Sequence, residues 1–336
     1  MKSPPRRAGG FSLLEVLIAM SVLSVILVIC LQMTRQFADL LSRSNERIGV
    51  QQEGNRALAL MVNQLRQAML DQRPLLVGSS GEPVLAGEPE RTLPWSDLMF
   101  ICGPDGVLLP AKEAPGGHAV FFQAPLGNPA QAHAGRAFNE IGYYIDLNDG
   151  DPPPFVLARP KRLRLMQYRR RFEDTTVRAA TKAARAGEGE RGSWFQVPVG
   201  AGEDVQPVAT NVLAMIIVPK VRGVEGLVPL PPQERGWSLF PGYLFDSQAD
   251  GPRQHLPPEL VEITLIVGGE ESLNRHANRH PGTAFDFGQS LLFSEIQSAD
   301  QYQSGLDELI RRLNDANIYH QIFTTTVRIE AGSHRL

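Results

Sequence analysis

The chain of 336 residues has only two cysteines, and no proline occurs between Pro5 and Pro74. Cys30 sits in an apolar run and Cys102 far downstream in a polar body, so no intrachain disulfide is expected and no disulfide framework is present. Charge of one sign is also lacking. The 33 basic and 36 acidic residues leave a net charge of -3, so the chain as a whole does not advertise a polyanion partner. Signatures of catalysis are missing as well: there is no Gly-x-Ser-x-Gly, no phosphate loop and no Cys-x-x-Cys pair. His276 and His280 lie four apart, but no Glu stands between them and Pro281 follows at once, so they read as a solvated loop and not as metal ligands. No catalytic residue, metal or cofactor is expected, and the reading for an enzyme is no. Glycine and proline are plentiful, 31 and 26, which suits a loop-rich, mostly β body.

Charge is scarcest between Phe11 and Leu31, where Glu15 stands alone. A helix over this segment is about 30 Å long, enough to cross a bilayer. Lys2, Arg6 and Arg7 precede it without an acid, which keeps the short N-terminus cytoplasmic and sends the body across. A cleaved signal peptide would need a small-x-small site, but the run goes straight into Gln-Met-Thr-Arg-Gln-Phe. A plain signal anchor has no use for Glu15, whose carboxylate costs about 2.5–3.5 kcal/mol on insertion scales. An acid in that place calls for a cationic partner.

Gly10 followed by Phe11, with Glu15 at the fifth residue counted from that Phe, resembles the class III signal of type IV pilins and type II secretion pseudopilins. The resemblance implies a prepilin peptidase cut between Gly10 and Phe11, N-methylation of Phe11, and retention of the apolar segment as a stalk. It further implies that Glu15 pairs with the α-amino group of a neighbouring subunit during assembly. A buried cation answering a buried anion is what makes such an acid tolerable. The proline this family carries in mid-stalk is absent; Gln32 stands there.

Beyond the span, apolar residues keep helical spacing (Phe37, Leu40, Leu41, Leu58, Met61, Val62, Leu65, Ala68, Met69), so one helix is expected from about Phe11 to about Met69. Gly49 and Gly54 mark a bend or a packing contact. The expected division is a leader (1–10), a transmembrane half-stalk (11–31), an amphipathic half-stalk (32–73) and an exported body (74–336). Residues 74–94 read as loop. Strands are expected at Leu98–Ile101, His118–Phe122, Phe138–Leu147, Leu163–Tyr168, Val212–Val218, Leu260–Val267 and Gln321–Ile329, with a late amphipathic helix over Ser298–Asn317. Asp149-Gly150 between two such runs signals a hairpin turn; a calcium loop is disfavoured because Gly150 stands where a ligand should. Residues 175–192 read as a mobile excursion and 219–258 as a long loop whose aromatics (Trp237, Phe240, Tyr243, Phe245) face either a partner or the body. The fold class is α+β: a long stalk helix packed on an antiparallel sheet, with large insertions.

The densest charge run holds Arg159, Lys161, Arg162, Arg164, Arg169, Arg170 and Arg171, with Tyr168 and Phe172 interleaved. Such a run suits nucleic-acid phosphates and stacked bases. It also suits a strand whose Leu163 and Leu165 face the core while the arginines meet water or acids. Phe121–Gly127, Gly142-Tyr143-Tyr144, Leu256–Ile266 and Ile322–Val327 resemble Verru_Chthon cassette protein C, a family of large prepilin-type proteins named for gene cassettes in Verrucomicrobia. That resemblance implies other cassette pilins as partners and no chemistry. The expectation is a minor pilin or pseudopilin of the inner membrane, N-terminus cytoplasmic and body periplasmic, joining a type IV pilus-like or type II secretion-like filament. The bulk of the body points to a low-copy or tip position. The alternatives are a DNA-binding pilin using the arginine run and a membrane-tethered exported enzyme.

Overall fold

The computed structural model describes residues 13–71, 73–77, 91–110, 116–125, 138–148, 161–222, 228–229, 237–239, 243–249, 253–280, 287–294 and 299–329. The chain divides into two units, Met1–Gly49 and Val50–Leu336. The described part of the first is a single helix. Helix α1 (Leu13–Leu65) begins there and supplies the opening helix of the second unit. No proline interrupts it, as the sequence requires. Within the second unit Val50, Gly54, Ala57, Met61, Gln64 and Leu65 are buried, the three-and-four spacing of one helical face. The helix stops at Leu65, four residues before the expected end. There the chain turns, and the Met69 N–H donates to the Gln123 carbonyl at 2.9 Å. A backbone partner, not a proline, ends it.

The remaining elements are β1 (Arg73–Val77), β2 (Arg91–Trp95), β3 (Ile101–Pro104), α2 (Asp105–Leu108), β4 (His118–Ala124), β5 (Asn139–Asn148), β6 (Arg162–Arg170), α3 (Val177–Arg185), α4 (Ser193–Ala201), β7 (Val205–Thr210), β8 (Val212–Arg222), β9 (Val228–Pro229), β10 (Trp237–Leu239), β11 (Phe245–Asp246), β12 (Leu260–Gly268), α5 (Glu270–Arg279), α6 (Gln289–Ser294), α7 (Ala299–Asp315) and β13 (His320–Arg328). Three antiparallel sheets result: β1-β2; a six-stranded sheet ordered β11-β3-β4-β5-β6-β7; and a five-stranded sheet ordered β13-β12-β8-β10-β9. A long N-terminal helix with antiparallel sheets is the α+β, pilin-like class expected.

Alternation along each strand decides which helix covers which face. In the six-stranded sheet Phe121, Gly142 and Tyr168 share one face, and there Phe121 stacks on Phe195 of α4 at 4.0 Å. Tyr143 and Gln167 are register partners on the other face, where the Tyr143 hydroxyl donates to Gln64 of α1 at 2.6 Å. In the five-stranded sheet Phe323 lies against Gly54 of α1, while the neighbouring Thr324 meets Thr264, which meets Tyr302 of α7. Helices α1 and α7 therefore cover opposite faces. Gly54 is a packing contact: a Cβ there would fall 2.2 Å from the Phe323 ring.

Four expectations need correction. Residues 73–77 and 91–95 pair as a hairpin where a loop was expected, since Pro74 and Pro94 interrupt two short, mostly apolar runs that show no alternation to read. Strands β5 and β6 do pair, but Asn148 stands opposite Arg162, so Asn148 and Asp151 are not the facing partners that a two-residue Asp149-Gly150 turn requires. Asp149 and Gly150 lie outside the described residues. Residues 175–192 include α3, and the long loop at 219–258 contains the end of β8 and short strands β9, β10 and β11. Tyr243 and Phe245 are buried, so these two aromatics pack inward; Phe240 lies outside the described residues.

Candidate functional site

The first unit carries the candidate site that the sequence singled out. From Leu13 to Ile48 the large apolar side chains of α1 are exposed: Leu13 at 80 %, Ile26 at 52 %, Leu31 at 55 %. The described residues hold one helix long and apolar enough to cross a membrane, and it is this one. Its hydroxyls are already satisfied. Ser21 donates to the Ile18 carbonyl, Ser24 to Met20 and Thr34 to Cys30, each at 2.8 Å. Such back-bonding removes the cost of a bare hydroxyl in hydrocarbon. Glu15, in the first described turn, is the one acidic or basic residue of the apolar run. Gly10 and Phe11 lie outside the described residues.

In the second unit the arginine run is broken up by the fold. Strand β6 buries Leu163, Leu165, Met166, Gln167 and Tyr168, which separates Arg162 and Arg164 from Arg169, Arg170 and Arg171 by about 17 Å of strand. Arg162 donates to Glu270 and Asn274 of α5, both at 2.8 Å. Arg170 bonds Asp204 at 2.8 Å and lies 3.6 Å from Glu203. Exposed Arg169 and Arg171 line an open groove of about 610 Å³, but Asp174 and Asp204 line it too. Two acids in the groove repel a polyanion as two arginines attract it. The alanine double variant of Arg169 and Arg171 should bind single-stranded DNA at low salt as weakly as the unmodified protein, measured by fluorescence anisotropy; a clear drop on substitution would restore the nucleic-acid reading.

The core holds polar anchors that the sequence did not disclose. Gln64 accepts from the Tyr143 hydroxyl and, at 2.8 Å, from the Gln167 amide, whose own oxygen accepts from Gln206 at 2.7 Å. This chain fixes the rotation of α1 on β5, β6 and β7, and burial pushes the Tyr143 phenol up. Glu140 of β5 accepts from the Tyr168 hydroxyl at 2.8 Å and from the backbone N–H groups of Thr176 and Val177 at 2.5 and 2.7 Å. It thus satisfies the start of α3, which has no side-chain cap of its own. Burial raises its carboxyl, against the pull of those donors and of Arg170.

His118 is fully buried. Its Nε2 faces the Phe293 carbonyl at 3.0 Å, and its Nδ1 lies 3.0 Å from the Ile217 carbonyl and 3.1 Å from the Ile217 N–H. Burial holds its pKa below the ordinary value despite those carbonyls. The unfolded chain therefore binds a proton below about pH 6.5 that the folded chain refuses, and stability is present above that pH and lost as pH falls through it. The unfolding free energy should fall as pH drops below about 6.5, by up to about 1.4 kcal/mol per pH unit from this group. A His118→Gln variant should lose that part of the slope; an unchanged slope would contradict the assignment.

His276 lies on α5 and His280 directly follows that helix, not in the loop expected, with ring centroids 4.7 Å apart. Burial, then His280 and Arg279, push His276 down. No third ligand-type side chain joins the two among the described residues.

Residues 5–31 match the family model described as the prokaryotic N-terminal methylation motif. No curated protein matches the chain. The motif supports a type IV pilin-like role, implies processing by a prepilin peptidase and assembly with other pilins, and suggests a structural and not a catalytic protein. With the apolar helix it suits single-pass membrane anchoring.

Proposed function

We propose that the protein is a minor pilin or pseudopilin, a low-copy structural subunit that waits in the inner membrane and joins a type IV pilus-like or type II secretion-like filament through its stalk. The observation that carries this reading is the coincidence of the methylation motif at residues 5–31 with a helix whose apolar side chains stay exposed over about its first ten turns. A soluble core helix would bury that face; a stalk keeps it for lipid and for neighbouring stalks. Peptidase cleavage after Gly10 leaves Phe11 as the new N-terminus, and its α-amino group is the cation that a neighbour's Glu15 requires. The periplasmic body, with a buried aromatic core and no described metal cluster, displays surface to partners. A Gly10→Val variant should remain at precursor mass in the membrane and be missing from sheared filaments, with the unmodified protein processed beside it. Processing that survives Gly10→Val would remove this assignment.

A further inference from the structure

Sheet edges are where a β-rich body meets other chains, and the edges here are treated unequally. Strand β7 closes the six-stranded sheet with Pro207 in it, and its Thr210 N–H is taken by Glu53 of α1 at 2.7 Å. Strands β9 and β11 are two residues long. Strand β13 closes the five-stranded sheet over nine residues, His-Gln-Ile-Phe-Thr-Thr-Thr-Val-Arg, with neither proline nor lysine.

The ladder fixes which groups of β13 are open. Gly269 N–H bonds the Tyr319 carbonyl and Ile329 N–H bonds the Glu259 carbonyl, so odd-numbered residues of β12 and β13 face one another. Gly268 N–H bonds Asn211, so the even residues of β12 turn to β8. It follows that His320, Ile322, Thr324, Thr326 and Arg328 aim both backbone N–H and C=O away from the sheet. None of these groups meets another backbone group among the described residues. The side chains of the same residues lie on the more exposed face, and Thr324, Thr326 and Arg328 are exposed outright.

We propose that β13 pairs with β13 of a second copy of this chain, antiparallel and centred on Thr324. The sequence is self-complementary in that register. Thr324 meets its own copy, Ile322 meets Thr326, Phe323 meets Thr325, and His320 meets Arg328, with all nine residues overlapping. Opposed residues share parity, so the buried faces of the two sheets stay on the same side and the outward N–H and C=O groups find each other. Cross-strand threonine pairs and a threonine with a β-branched aliphatic are favourable neighbours. An isologous contact closes on itself and does not propagate, which suits a subunit present in few copies and not the repeating contact of a shaft. The pairing rests on the strand itself and stands whether or not residue 10 is cleaved.

The test is disulfide trapping of the full chain in detergent with Cys30→Ser as background, since Cys102 is buried. Antiparallel partners sit about 5.5 Å apart at Cα, within disulfide reach. Oxidation should trap most Thr324→Cys chain as a covalent dimer, leave Thr326→Cys or Ile322→Cys alone as monomer, and trap a mixture of those two. Thr324→Pro removes an outward N–H without touching the β12 ladder, so it should abolish the dimer in gel filtration while the unfolding midpoint holds. Equal trapping at 324 and 326, a ladder of multimers, or links only to other proteins would overturn the proposal.

Discussion

Replacing Gly142 by valine should collapse the body. The strand residue Gly142 lies under the Phe121 ring, and a Cβ built on it falls 2.2 Å from Cδ1 and 2.3 Å from Cε1 of that ring. The ring has nowhere to go. It stacks on Phe195 at 4.0 Å and meets the edges of Trp194 and Tyr168 at 6.2 and 6.4 Å. Overpacking costs about 1–3 kcal/mol where neighbours yield, and more where they do not. Against a total of about 5–15 kcal/mol, a loss of roughly 3 kcal/mol or more removes much of the stability. Chemical denaturation should show a large fall in midpoint, and Phe121→Ala should recover part of it in the double variant. A Gly142→Val protein with an unchanged midpoint would show that the aromatic stack does not hold the α4 face of the sheet.

The second large effect is expected at Glu15, on function and not on folding. Glu15→Leu removes an acid that costs about 2.5–3.5 kcal/mol to place in the bilayer, so insertion should be as good or better. On the role proposed for Glu15, what should be lost is the anion that answers the new N-terminus of a neighbour. Breaking one partner of a buried ion pair costs about 3–5 kcal/mol, a change in partition of two orders of magnitude or more. Membrane fractions should therefore hold normal amounts of processed Glu15→Leu protein while sheared filaments hold almost none, as read by quantitative immunoblot. Filament levels equal to those of the unmodified protein would deny Glu15 an assembly role.

What was legible in the sequence was what local pattern alone determines. The stalk needed only an apolar run without proline, and β4, β6, β8, β12, β13 and α7 were visible as continuous or alternating apolar stretches. The segment 175–192 was not, because its order comes from elsewhere. Its helix starts on Glu140, and Arg185 reaches Asp97 at 2.7 Å, Gln248 at 3.0 Å and the Trp95 ring at 4.0 Å. A small, charged stretch reads as mobile unless those distant partners are known. The Gln64–Tyr143–Gln167–Gln206 chain was missed for a related reason, though Gln64 left a trace: it is a polar residue in the stripe that also holds Met61 and Leu65. The arginine run misled in the opposite direction. Its density in sequence is divided in space by the buried centre of β6.

The N-terminal residue and intact mass of the protein recovered from the membranes of its own cells test the central claim most directly. The account predicts a chain starting at Phe11, with the added mass of an N-methyl group. A chain starting at Met1, or at a residue beyond Leu31, would contradict it, and the apolar helix would then be an anchor or a discarded signal, not a stalk.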